Sequence, residues 1–100
     1  AVAFNHDGTT LATGSDDGTA RLWDTTTNRP TPVRTFHHDD WVNVVAFNHD
    51  GTTLATGTGT QTDDGSYGGT ARLWDTTTNR PTPVRTFHHD DWVNAVAFNH

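Results

Sequence analysis

The sequence contains no cysteine, lysine, glutamate, isoleucine or methionine. Without cysteine there are no disulfides and no thiol chemistry, and the redox compartment leaves no trace. Without lysine and glutamate, every side-chain cation is one of six arginines and every anion one of twelve aspartates, for a net charge of −6 with histidine neutral. That balance argues against nucleic acid phosphates or anionic membranes as partners. No apolar run is long enough for a membrane span or the core of a signal peptide. Hydrophobic residues make up only 31% of 100 residues. So thin a core in one small domain points to burial against something else.

What is present is strand-forming. There are 21 threonines, and valine, phenylalanine and tryptophan supply most of the bulk. These residues favour strands, whereas the missing glutamate, lysine and methionine are good helix formers. The composition predicts an all-β chain. Seven histidines cancel the negative charge as pH falls toward about 6 and below, so solubility should be poorest in mildly acidic buffer.

The chain repeats itself. Residues 1–14 match 44–57 at a shift of 43, differing only at Ala1 and Val44. Residues 19–43 match 70–94 identically at a shift of 51, and "AVAFNH" at 95–100 repeats the opening hexapeptide. The unit is therefore 94 residues, one repeat of 43 and one of 51. Natural duplications drift, so this near-identity points to design, ahead of consensus reconstruction or very recent amplification. "TGSDDGTARLWD" (13–24) returns as "TGTGTQTDDGSYGGTARLWD" (56–75), eight residues longer.

Each repeat reads as four short strands. In the second they are "VVAF" (44–47), "TLATG" (53–57), "TARLWD" (70–75) and "VRTF" (84–87). "NHDG" between the first two is a turn whose Asp-Gly suits positive φ. "TARLWD" alternates, with Ala71, Leu73 and Asp75 on one side and Arg72 and Trp74 on the other. Pro81 and Pro83 precede the last strand, tolerable on an outer edge. Four strands per 43 residues is the spacing of a propeller blade. The blades are 1–43 and 44–94, with the insertion at 58–69, and 95–100 is a duplicated inner strand. That strand either starts a further blade or is donated to a neighbour, leaving Ala1 to Phe4 displaced or disordered.

"DGTTLATGSDDGTARLWD" and "HHDDWVNVVAF" resemble the WD-repeat β-propeller family over nearly the whole chain outside the insertion. The resemblance implies a buried hydrogen-bond chain of Trp, Ser or Thr, His and a turn Asp. It falls on Trp23, Thr13, His38 and Asp17 in the first repeat, and on Trp74, Thr56 and His89 in the second. Gly68 stands where the second Asp is due, unless Asp63 or Asp64 folds back. The resemblance also places the lengthened turn on the face that carries the His loop. It implies a non-enzymatic protein- or peptide-binding module.

Two blades leave two apolar faces open, which a soluble protein rarely tolerates. Other copies of the chain must close the ring by rotation. Propellers have roughly 4 to 8 blades. Eight from a homotetramer is the leading expectation and six from a trimer the second. The chain then reads as a designed self-assembling scaffold with a lengthened loop in alternate blades.

The remaining chemistry is sparse, and no cofactor is expected. His37, His38, Asp39 and Asp40, with His88, His89, Asp90 and Asp91, carry imidazole and carboxylate suited to Zn, Ni or Cu. Adjacent residues on a strand seldom converge on one ion, so they are read first as solvent-facing or network residues. The insertion, with glycines at 59, 65, 68 and 69, reads as a flexible surface turn. Asp63, Asp64 and Ser66 lack the regular spacing of an EF-hand loop. Tyr67 is the residue there with binding value, giving rigid contact area at low entropic cost. Ser15 and Ser66 lie in no nucleophile elbow, so no hydrolase triad is expected.

Overall fold

A computed structural model of the chain describes residues 1–27, 32–38, 40–61, 67–78, 82–89 and 91–98. The described residues hold strands and turns and no helix, and hence no helix long and apolar enough to cross a membrane. Strands β1 (Val2–Phe4), β2 (Thr10–Gly14), β3 (Thr19–Asp24) and β4 (Arg34–His37) form one antiparallel sheet in that order. Strands β5 (Val42–Phe47), β6 (Thr53–Thr58), β8 (Tyr67–Asp75) and β9 (Arg85–His89) form the second, with short β7 (Thr60–Gln61) beside the start of β8.

The turns close as the sequence predicts. Gly8 and Gly51 take φ of 78° and 77°, the left-handed region that glycine enters freely. Ahead of each, the Asp accepts from the residue two further on. Asp7 Oδ1 receives the Thr9 N–H at 3.1 Å and its hydroxyl at 2.7 Å, and Asp50 and Thr52 repeat both bonds. This local bonding is why Asp-x-Thr recurs where the chain must reverse.

Register then sorts side chains onto two faces per sheet. Ala12, Leu22 and Arg34 are in line across the first sheet, as are Ala20 and Phe36. Across the second, Val45 aligns with Thr56 and Phe47 with Leu54 and Trp74. These faces meet. Ala12, Ala20, Leu22 and Phe36 are buried on one side, and Val45, Leu54 and Trp74 on the other, in one cluster. Each large aliphatic or aromatic side chain so buried contributes roughly 1.5–3 kcal/mol.

The outward faces are copies of the buried ones. Val2 and Phe4 match Val45 and Phe47 by the repeat, yet they are 70% and 62% exposed. Phe87 matches Phe36 and is 39% exposed against 2%. Over the second sheet's outer face runs 92–98, unpaired as a strand, with Val93 buried. A Cβ on Gly57 would lie 2.7 Å from Val93 Cγ1, as one on Gly14 would lie 2.8 Å from Val42 Cγ1. Residues 92–98 thus start across the second sheet as β5 does across the first.

In the single chain Ala1 to Phe4 pair with β2, Val2 opposite Thr13 and Phe4 opposite Leu11. Two expectations are corrected. The last strand of the second repeat runs Arg85–His89 rather than 84–87. The described residues of the insertion form a ladder rather than a loose turn, because Thr60 pairs with Gly68 and Gln61 with Tyr67 in the register that pairs Gly57 with Ala71; its tip, 62–66, lies outside the described residues. Two of the insertion's glycines, Gly59 and Gly69, are needed there for close approach. A Cβ on Gly69 would press on the Thr58 and Asp91 carbonyl oxygens, and one on Gly59 on Trp92.

Candidate functional site

The buried polar centre of the chain lies between the two sheets. Trp74 on β8 donates its indole N–H to Thr56 Oγ1 on β6 at 3.0 Å. His38, one residue past β4, brings Nε2 to the same Thr56 oxygen at 2.8 Å. Its Nδ1 lies 3.2 Å from the Phe36 carbonyl oxygen. A carbonyl only accepts, so Nδ1 carries the proton. In the neutral ring Nε2 is then the acceptor, and the Thr56 hydroxyl donates to it. Indole, hydroxyl and imidazole form one directed chain, with Thr56 and Trp74 fully buried.

Packing fixes the same residues. The Trp74 ring lies 4.8 Å from Phe36 and 5.0 Å from His38, tilted to each by 43° and 59°. Such tilted pairs add to simple area burial. Arg34 lies 4.6 Å over the Phe36 ring and reaches across to the Asp75 carbonyl oxygen at 3.4 Å and to that of Thr78. Side chains of β4 and the turn after it thus engage β6, β8 and the turn beyond β8.

This corrects the expected grouping. His38 does not join Thr13, Trp23 and Asp17 of its own repeat; it reaches forward to Thr56 and Trp74. Physically, the His38 amide bonds to the Gly18 carbonyl at 2.7 Å, which anchors its backbone to the first sheet while the ring points at the second. In the first sheet Trp23 donates to Thr13 Oγ1 at 3.0 Å. Asp17 binds instead the Thr19 amide and hydroxyl at 3.0 and 2.6 Å and pairs with Arg21 at 3.7 Å. The Thr19 hydroxyl, more than Arg21, holds the Asp17 carboxyl below its ordinary range. His89 ends β9 and is exposed.

The His-Asp runs are separated rather than gathered. His37 is exposed while His38 turns inward, His88 and His89 are both exposed, and Asp91 accepts from the Trp92 amide at 2.7 Å. Asp39 and Asp90 lie outside the described residues. Among the described residues no three His, Cys, Asp or Glu side chains gather to hold a metal. Asp63, Asp64 and Ser66 also lie outside the described residues, and Tyr67 begins β8.

Composition did not reveal the aromatic pair beside the lengthened turn. Trp41 and Trp92 are 47% and 42% exposed, and both flank its stem. Gly59 donates to the Trp41 carbonyl at 3.2 Å and abuts Trp92. The signal was there in "HHDDW", repeated next to the one turn that varies.

Comparison with known proteins agrees with this geometry. The family model described as "WD domain, G-beta repeat" matches residues 1–24 and 30–75. No curated protein matches the sequence. Among solved structures, a chain in "Crystal Structure of Mitotic Checkpoint Complex" superposes with a TM-score of 0.52 at 20% identity, over 97% of this chain and 39% of that one. At that identity the likeness concerns fold alone, and this chain spans well under half of the matched one. Two four-stranded antiparallel sheets packed face to face, carrying paired copies of the motif, place this chain in the WD-repeat β-propeller family.

Proposed function

We propose that the chain is a non-enzymatic, self-assembling propeller scaffold of designed or consensus-derived sequence, its lengthened turn decorating one face of the ring. One observation carries this reading. On the outer face of the second sheet, Ala46, Ala55, Ala71, Leu73, Arg85 and Phe87 copy Ala3, Ala12, Ala20, Leu22, Arg34 and Phe36 of the first-sheet face that the second sheet covers. A second copy of the chain offers the matching cover. Contacts of this head-to-tail kind close into a ring when the rotation permits, and four copies give eight blades. Light scattering tests it: a particle near four times the 11.0 kDa chain mass is expected. Three times that mass supports the six-bladed ring, and a stable single chain overturns the proposal.

A protein- or peptide-binding role is the second reading, supported by the exposed Trp41 and Trp92 at the turn-bearing end. Tryptophan is enriched among residues that dominate interfaces. Under this reading a peptide library screened against the assembled protein yields ligands that quench Trp41 and Trp92 fluorescence and are lost in Trp41→Ala and Trp92→Ala. Ligands indifferent to both substitutions overturn it.

A further inference from the structure

The contact between the sheets has an inserting side, His38, Phe36 and Arg34, and a framing side, Thr56, Trp74 and the Asp75 carbonyl. The repeat supplies each side once more, facing outward. His89, Phe87 and Arg85 copy the inserting side on β9, whose residues are all exposed. Thr13, Trp23 and Asp24 copy the framing side on β2 and β3.

Each outward half already keeps one contact of the docked geometry. Trp23 donates to Thr13 at the 3.0 Å that separates Trp74 and Thr56. Arg85 lies 4.8 Å over the Phe87 ring, as Arg34 lies 4.6 Å over Phe36. A cavity of about 320 Å³ remains beside Phe87 and His89, closed on one side by Val96, Ala97 and Phe98. Within one chain these halves cannot meet, because the sheets already pack through their other faces.

We propose that His89 of one copy completes the Thr13–Trp23 pair of a second copy, its Nε2 accepting from the Thr13 hydroxyl, so that the buried polar chain is shared between molecules. This rests on the self-assembly reading and adds the residues that set its register. Phe87 then covers Trp23, and Arg85 reaches the Asp24 carbonyl. The pairing uses β2, β3 and β9 only, so it is the same whichever copy of "AVAF" fills the inner position. Half-satisfied polar chains are costly when buried, and this one is satisfied only by a correctly registered neighbour.

The test is a double-mutant cycle on the full chain, with self-association followed by sedimentation velocity across a dilution series. Thr13 is half-buried and His89 exposed in the single chain, so Thr13→Val and His89→Gln should both keep the wild-type circular dichroism. Each is expected to weaken association about tenfold per interface, the order expected for stranding a buried hydrogen-bond partner. The double variant should be no weaker than the poorer single one. Mixing the two single variants should restore one interface of wild-type strength in each heterologous pair. Additive losses in the double variant, or no gain on mixing, overturn the pairing while leaving assembly intact. A wild-type chain that stays single overturns the assembly reading, and this pairing with it.

Discussion

His38 and Thr56 face each other across the boundary between the sheets, Nε2 to Oγ1 at 2.8 Å, although they belong to different sequence repeats. The sequence repeat and the packed blade are therefore out of phase. The last segment of one repeat supplies the imidazole for the hydroxyl and indole of the next. The second sheet depends on the first for a polar partner as well as for apolar cover.

Trp74 should accordingly matter more than Trp23 to the stability of the single chain. Trp74 is 2% exposed and its N–H is held by Thr56, while Trp23 is half-buried on an open face. Trp74→Phe is expected to cost about 1–3 kcal/mol and Trp23→Phe less than about 1 kcal/mol. Urea denaturation at a concentration that keeps the chain single measures both. Equal losses would contradict the partner assignment.

Gly68 and Gly69 are neighbours with opposite expectations. A Cβ on Gly68 meets nothing within 4 Å, whereas one on Gly69 meets the Asp91 carbonyl oxygen at 2.6 Å and the Thr58 carbonyl oxygen closer still. Backbone cannot step aside as a flexible side chain can. Gly69→Ala should therefore cost about 1–3 kcal/mol. Gly68→Ala should be neutral, or stabilising by up to about 1 kcal/mol through the unfolded chain. Thermal melts of the pair decide it, and similar midpoints would mean that 91–93 does not lie where the insertion's stem holds it.

The strands were legible because "TLATG" and "TARLWD" alternate and are bounded by Asp-Gly turns. The observed β2 and β3 keep those bounds at Thr10–Gly14 and Thr19–Asp24. The network members were legible as residue types but not as a set. Grouping by repeat puts His38 with Trp23, and only three-dimensional packing shows the ring crossing to the next sheet. The insertion misled for a different reason. Its glycines read as looseness, whereas at Gly59 and Gly69 they admit the backbone and side chain of 91–93. No periodicity in the sequence carries that information.

Acid should loosen the turns first. Asp7 and Asp50 are held below the ordinary carboxylate value, chiefly by the Thr9 and Thr52 hydroxyls. A carboxyl with a depressed folded pKa contributes stability above its unfolded value and loses it as pH falls through the folded one. The loss therefore begins below about pH 4. Asp7→Asn with Asp50→Asn keeps an oxygen acceptor but removes the titration. The double variant should show a shallower fall in melting temperature on acidification below about pH 4. An unchanged slope would place the acid response elsewhere.

The two copies of "AVAF" set the last expectation. Ala1 to Phe4 pair with β2 through three residue pairs and leave Val2 and Phe4 largely exposed. Residues 92–98 are seated on the second sheet, with Val93 buried and Val96 and Phe98 half-buried. When a second copy docks there, both segments claim the same inner position. If Ala95 to Phe98 take it, they keep their contacts with their own second sheet and add pairing with β2 of the neighbour. If Ala1 to Phe4 keep it, 95–98 must leave the surface they already cover. The first outcome loses one short ladder and regains its equivalent, and it also holds the two chains together through the backbone hydrogen bonds of the donated strand. Deleting residues 1–4 should therefore leave the oligomer's dissociation midpoint nearly unchanged on dilution, whereas deleting 95–100 should move dissociation to higher protein concentration. The reverse order would show that β1 holds the inner position and that the second copy of the hexapeptide is displaced on assembly.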